Sequence, residues 1–382
     1  MSRETPTFFV ASVVAVLVAV FGASAGSAAA RQQVVVIQDE ASCRGCSITS
    51  ELLFSLQQGG DAPRFTQLPS ATVMDTHGNV IVARGPLGPP LAYDSEGRFV
   101  RVIGAPGNGP GEFESAEILV PGASGALYVV DRRIGRISSF DAQWQFVRSA
   151  PVPHGAFAAI RANDGTIILN ADVHDAKRFG LLFHAFDEIG NYLLSFGGER
   201  SAVLPGITTA QTRRLAAARE GGIWSAAIRG QYVLDHWGVD GTHLGSMKRD
   251  TEWFRYTTAS RPLFTNDKTP PAPQVFSILE DDEARIWVLL RVADPEWRTA
   301  ITWSTRPGDE QGRRPIISNR DRAFDTIIEV IDRDSGALVA SQRFDEAWLK
   351  FVSANRVLAA PEDENGGISL DFLEVVLHVP ER

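Results

Sequence analysis

The chain has two cysteines, Cys43 and Cys46, in the sequence SCRGCS. That spacing can serve a local disulfide, a metal or haem ligand set, or a redox dithiol. A c-type haem needs a histidine directly after the second cysteine, where Ser47 stands, and a four-thiolate zinc site needs two further cysteines that the chain lacks. A redox dithiol normally sits where a strand meets a helix N-terminus, which lowers the thiol pKa. Here the strand-like SITSELLFSL follows instead. A structural disulfide closing a tight loop over Gly45 is the favoured reading for an oxidising compartment, with redox or metal use as the alternative.

The seven histidines, His77, His154, His174, His184, His236, His243 and His378, form no HExxH pair and no short metal-binding cluster. There is no G-x-S-x-G elbow and no G-x-x-x-x-G-K-[ST] phosphate loop. Asp131 and Arg136 are spaced to brace a hairpin, Asp131 by accepting backbone hydrogen bonds at its turn. Arg313, Arg314, Arg320 and Arg322 form a basic cluster in one long segment that also carries Trp297 and Trp303. Trp and Arg favour interfaces, so Trp297, Trp303, Arg313 and Arg314 are candidate partner contacts, a solvated loop being the plainer alternative.

The compartment is written at the start of the chain. An unbroken apolar run, Phe8 to Phe21, follows Arg3 and precedes the small-residue tract Gly22 to Ala30. This is the layout of a signal peptide spanning residues 1–30, cleaved after Ala30 or earlier in the tract, with residues 31–382 as the mature chain. An uncleaved anchor is the competing reading, because the uncharged stretch from Thr5 to Ala30 is long enough to span a bilayer. No other segment is long and apolar enough to do so, and the expected location is periplasmic or extracellular. The net charge of −9, from 37 basic and 46 acidic residues, argues against nucleic acid or anionic lipid as a partner.

The elements that position these residues repeat. Turns built on Asp, Asn and Gly occur around Gly78, Gly125, Gly165 and Gly222, each running into an apolar strand: VIVA, LYVV, TIIL and IWSA. Degenerate copies lie at Asp281 to Arg285 and Ser353 to Arg356. A second turn follows each of the first five, and the distances Gly78 to Gly97, Gly125 to Trp144 and Gly222 to Gly241 are all 19 residues. Two turns among four strands define the blade of a β-propeller, and six units predict an all-β, six-bladed β-propeller with four-stranded antiparallel blades. The last unit offers only three strands, so an N-terminal strand at residues 47–56 is expected to join the C-terminal blade and close the ring. The fifth unit carries an insertion at residues 294–324. Thr208 to Arg219 is the only stretch with modest helical character.

The stretch from Glu96 to Ser149 resembles an NHL repeat with its linker. The matching residues are Gly104, Gly107, Gly109 to Phe113, Leu127 to Asp131, Arg136-Ile137 and Phe140-Asp141. It departs at Ser115-Ala116-Glu117, where that pattern has a proline, and at Trp144, where it has a glycine. The chain as a whole is similar to exported bacterial six-bladed propellers with NHL-like blades and an N-terminal Cys-x-x-Cys. That resemblance implies either a noncatalytic scaffold holding a protein or small-molecule ligand on one ring face, or a metal-dependent hydrolase or lyase of lactonase or peptide-amidating type. In the second case ligands would gather where the chain enters each innermost strand. The candidates are Glu114, His154, Asn355 and Gln211, whose carboxylate and amide oxygens could hold calcium. The noncatalytic scaffold, monomeric and without a cofactor, is the favoured reading.

Overall fold

The computed structural model describes residues 34–198, 212–254, 263–264, 266, 268–304, 315–363 and 365–380. Two strands come first, β1 (Val34–Val36) and β2 (Ser47–Ser55). Blade 1 is β3 (Ala71–Met74), β4 (Val80–Ala83), β5 (Leu91–Tyr93) and β6 (Phe99–Val102). A parallel ribbon of β7 (Ala105–Pro106) and β8 (Glu112–Phe113) leads to blade 2, which is β9 (Ala116–Pro121), β10 (Leu127–Asp131), β11 (Arg136–Phe140) and β12 (Phe146–Pro151). Blade 3 is β13 (Ala156–Arg161), β14 (Ile167–Ala171), β15 (Phe183–Phe186) and β16 (Tyr192–Phe196). Blade 4 is β17 (Arg213–Ala217), β18 (Ile223–Ala227), β19 (Tyr232–Trp237) and β20 (His243–Arg249). Blade 5 begins with β21 (Gln274–Glu280) and β22 (Arg285–Ala293). A helix α1 (Trp297–Ala300) and a hairpin of β23 (Ile301–Trp303) and β24 (Pro315–Ile317) are then inserted before β25 (Phe324–Asp332) and β26 (Leu338–Phe344). The chain ends with β27 (Lys350–Ser353), β28 (Arg356–Ala359) and β29 (Asp371–His378).

The first strand of each blade lies beside the first strand of the next, and β27 returns to β3, so the six sheets form a closed ring. The protein is an all-β six-bladed propeller. Its core is divided among the six interfaces between blades. Val73, Ile81 and Ala92 of blade 1 pack on Leu119, Val129 and Phe140 of blade 2, and the remaining five interfaces repeat the arrangement. Both faces of each blade are therefore covered. For this reason the second strands VIVA, LYVVD and IILNA are buried at every position instead of alternating.

The turns that set the sequence rhythm are side-chain capped. Asp75 Oδ1 accepts from the backbone N–H of His77 and Asn79 at 2.8 and 2.9 Å. Asp187 does the same for Ile189 and Asn191, and Asp281 for Glu283 and Arg285. The residue just before the last in each turn is left-handed, which suits Gly78 and Gly190 but is forced on Trp144 (φ 58°) and Ala284 (φ 57°).

β2 pairs with β29 from Ser47↔His378 to Ser55↔Asp371, making the sixth sheet β2-β29-β28-β27. The arm before it does more than the sequence led us to expect. β1 pairs in parallel with β20, Val34↔Ser246 to Val36↔Lys248, as a fifth strand on blade 4. Ser42 N–H then donates to Leu338 O on the outer strand of blade 5 at 2.7 Å, and Ile37 is buried in the interface between blades 4 and 5. Cys43 and Cys46 are disulfide-bonded in the loop between that contact and β2.

The helical tendency read in Thr208 to Arg219 is overturned where it is described. Arg213–Ala217 is β17, the innermost strand of blade 4, because pairing with β18 along its whole length outweighs weak local propensity. Residues 208–211 lie outside the described residues.

Candidate functional site

The chain enters each innermost strand on one ring face, which also carries the long connections and is called here the loop face. The capped turns occupy the other. The residues singled out from the sequence do not share one place. Glu114 and His154 precede β9 and β13 on the loop face, whereas Asn355 sits in the β27–β28 turn on the opposite face. Gln211 lies outside the described residues. The Glu114 carboxylate is paired with Arg133 at 2.9 Å. The exposed His154 ring lies against Gly135, where an added Cβ would come within 2.7 Å of it. Asn355 Nδ2 donates to Glu374 at 2.9 Å. Among the described residues no three His, Cys, Asp or Glu side chains are grouped to hold a metal ion.

Asp131 is a structural brace, as expected. Its Oδ2 accepts from the N–H groups of Glu114 and Ser115 and its Oδ1 from those of Arg133 and Ile134, tying the strand approach to the β10–β11 turn. Arg136 donates to the carbonyls of Asn108, Gly109 and Glu112 and fixes the glycine-rich connection between blades 1 and 2.

The insertion is likewise different in kind from the expectation. Trp297 is 4% exposed and packs with Ile301, Ala323 and Phe324 in the insertion's own core. Its ring is therefore not free for a partner; a tryptophan in a charged segment can be the seed of a small core as readily as a contact. Trp303 is half-buried in the β23–β24 hairpin, opposite Pro315. Arg313 and Arg314 lie outside the described residues.

The feature that sequence reading missed is a wall of cations on the inner strands of blades 4 and 6 and the second strand, β22, of blade 5. Arg214 lies near the start of β17 and Lys350 at the start of β27. Between them, Phe276 on β21 has the Arg291 guanidinium carbon 3.5 Å and the Arg214 guanidinium carbon 5.0 Å from its ring centre. Arg320, from the insertion, extends the wall and donates to Ala360 O. These side chains are half-buried.

No carboxylate among the described residues pairs with Arg214, Arg291 or Lys350. The Nε atoms of Arg214 and Arg291 are buried without a hydrogen-bond partner. Desolvation, reinforced by Arg320 and Arg214 and opposed by the charge of Asp321, holds Arg291 down at about 9, and desolvation alone brings Arg214 to about 10. Lys350 is lowered to about 8 by desolvation and by the charge of Arg214. On the opposite side of the ring the one acid near the start of an inner strand, Glu117 on β9, is already held by Arg132 at 2.6 Å. Asp321 faces Arg291 and Arg320, and Glu362 faces Arg320, so the acids lie at the insertion end of the wall; the Arg214 and Lys350 end has no carboxylate beside it, an arrangement that favours an anionic ligand there.

A second hollow, about 340 Å³, opens on the turn face between Asp164–Thr166 and Asp187–Ile189. Its acids are committed: Asp164 and Asp187 cap their own turns and Glu188 pairs with Arg161.

Comparison with known proteins agrees with the architecture. Residues 91–192 match a family described as a 6-bladed beta-propeller. A protein of Bacteroides fragilis described as exported superposes with a TM-score of 0.59 at 10% identity, covering 91% of this chain and 100% of that one. A member of the duf4221 family from Bacteroides vulgatus gives 0.57 at 12% identity, covering 88% and 99%. Virginiamycin B lyase from Staphylococcus aureus gives 0.47 at 9% identity, covering 86% and 100%. No curated protein matches the sequence. At these identities the likeness is one of fold, and the fold is that of the six-bladed propellers.

Proposed function

We propose that this protein is an exported, noncatalytic propeller that binds a small anionic ligand at the loop-face end of its axis. The observation that carries the reading is the cluster of Arg214, Arg291 and Lys350 on three consecutive blades, in which Arg214 and Lys350 have no carboxylate partner while Arg291 faces Asp321 and donates to Trp348 O at 3.4 Å. Leaving cations desolvated and unpaired costs stability. A bound carboxylate or phosphate removes that cost and takes up the free guanidinium donors. The apolar run of residues 8–21 and the exported Bacteroides relative support export. Among the described residues no helix is long and apolar enough to cross a membrane.

The metal-dependent hydrolase or lyase finds less support. Glu114 is engaged by Arg133, Asn355 is on the other face, and the positive wall works against a divalent cation beside it. The test is calorimetric titration with citrate and with inorganic phosphate. Binding that weakens at least tenfold in Arg214→Met and falls with added salt supports the proposal. Equal binding by wild type and Arg214→Met, or none by either, overturns it.

A further inference from the structure

Lys350 is set apart from the chain's other amines. Only four of the 37 basic residues are lysines, namely Lys177, Lys248, Lys268 and Lys350. The other three lie in loops or on the outer strand of blade 4, whereas Lys350 opens an innermost strand. Among the described residues its Nζ makes no ion pair and no hydrogen bond. Its charged neighbour is the Arg214 guanidinium, which stands over Phe276. The strand that carries it is held in place, Phe351 N–H donating to Ser277 Oγ on β21 at 3.1 Å. A cation placed against a second cation in partly desolvated surroundings is the arrangement that makes a lysine amine nucleophilic.

Resting on the anion-site reading above, we propose that the wall receives small 2-oxo carboxylates, its guanidinium groups holding the carboxylate while the Lys350 amine condenses reversibly with the neighbouring carbonyl. The nitrogen lone pair attacks the carbonyl carbon to give a carbinolamine. The carbinolamine then loses its oxygen as water, taking both amine hydrogens, and a C=N bond joins Lys350 to the ligand. No oxidant, reductant or metal enters the balance, and hydrolysis returns both partners. The chemistry needs an unprotonated amine. With Lys350 held at about 8, roughly one molecule in ten carries one at pH 7, against fewer than about one in a thousand for an ordinary lysine. Arg214 and Arg291 supply the planar donor pairs that suit a carboxylate.

The test uses the full chain with pyruvate as probe and cyanoborohydride to reduce any imine, followed by peptide mass mapping of the four lysines. Lys350 is expected to be labelled at least tenfold ahead of Lys177, Lys248 and Lys268. Acetone, which lacks the carboxylate, is expected to label it at least tenfold less. Arg214→Met should lower the pyruvate adduct, and Lys350→Arg, which keeps the charge and removes the amine, should form no adduct. Labelling spread evenly over the lysines, or unchanged in Lys350→Arg, overturns the inference. If citrate and phosphate bind while Lys350 stays unlabelled, the imine fails and the anion site stands. If no anion binds, both fall.

Discussion

Replacing Lys350 by methionine should stabilise the protein, and the gain should vanish in alkali. Methionine keeps the length and apolar body of the side chain, so contact along β27 is retained. The change removes an ammonium whose folded-state pKa is about 8 instead of 10.5. At about 1.4 kcal/mol per tenfold in proton affinity, that gap corresponds to about 3 kcal/mol of cost to the folded state at neutral pH. Because Lys350 is only half-buried, residual hydration and relaxation of Arg214 reduce the expected gain to about 1–2 kcal/mol. Because the folded value lies below the unfolded one, unfolding takes up a proton between about pH 8 and pH 10.5. In that window the wild-type protein gains stability as pH rises, the cost being fully present below pH 8. The charged group facing the amine is Arg214; beyond it Arg291 and Arg320 stay cationic and their neighbour Asp321 stays anionic across pH 7 and 8, so the first rise is assigned to Lys350. Denaturant unfolding of wild type and Lys350→Met at pH 7, 8, 9 and 10 measures the difference. The reasoning is refuted if Lys350→Met is the less stable protein at pH 7, or if the difference is the same at pH 7 and pH 10.

Three further outcomes are expected. Ala284→Gly relieves a left-handed alanine (φ 57°) in the capped turn of blade 5 and should raise stability by about 1 kcal/mol in denaturant unfolding. Gly222→Ala should cost at least about 2 kcal/mol, since its Cβ would lie 1.9 Å from Trp237 O at a φ of 81°. Glu329→Gln breaks the buried pair with Arg249 (3.2 Å), which also donates to the arm carbonyls Gln38 O and Asp39 O. About 3 kcal/mol of stability should be lost, and limited proteolysis of the arm should speed up.

The blades were legible because their punctuation is local. An aspartate two and four residues ahead of the N–H groups it caps, with a left-handed residue between, leaves its trace within five positions, and so the turns around Gly78, Gly97 and Gly190 declared themselves. Even Trp144, which lacks the glycine, holds the place that the spacing gave it. The closing strand could be anticipated from a deficit of one strand in the last blade. The cationic wall could not. Arg214 and Lys350 are 136 residues apart and meet only because blades 4 and 6 flank blade 5. Arg214 was further disguised by lying in the one stretch with helical character. A register drawn from the first turns backwards, asking which residue begins each inner strand, is the signal that would have found both. The parallel pairing of β1 left no trace either, since three valines on a neighbour's edge require no turn. Trp297 shows the limit of composition, which cannot say whether an aromatic in a basic loop faces out or in.

The pairing of β2 with β29 sets an order of events in the life of the chain. Ser55 finds its partner at Asp371, so β2 waits for a strand made only after all five intervening blades. Blades 1 to 5 can form from neighbouring hairpins as they appear, but the ring has an open seam until β29 is made. Contacts of such long range are slow to make. A nascent chain is therefore held short of its final shape until that pairing is made. Loss of the C-terminal strand would strand the first one as a bare, aggregation-prone edge on an otherwise well-built molecule.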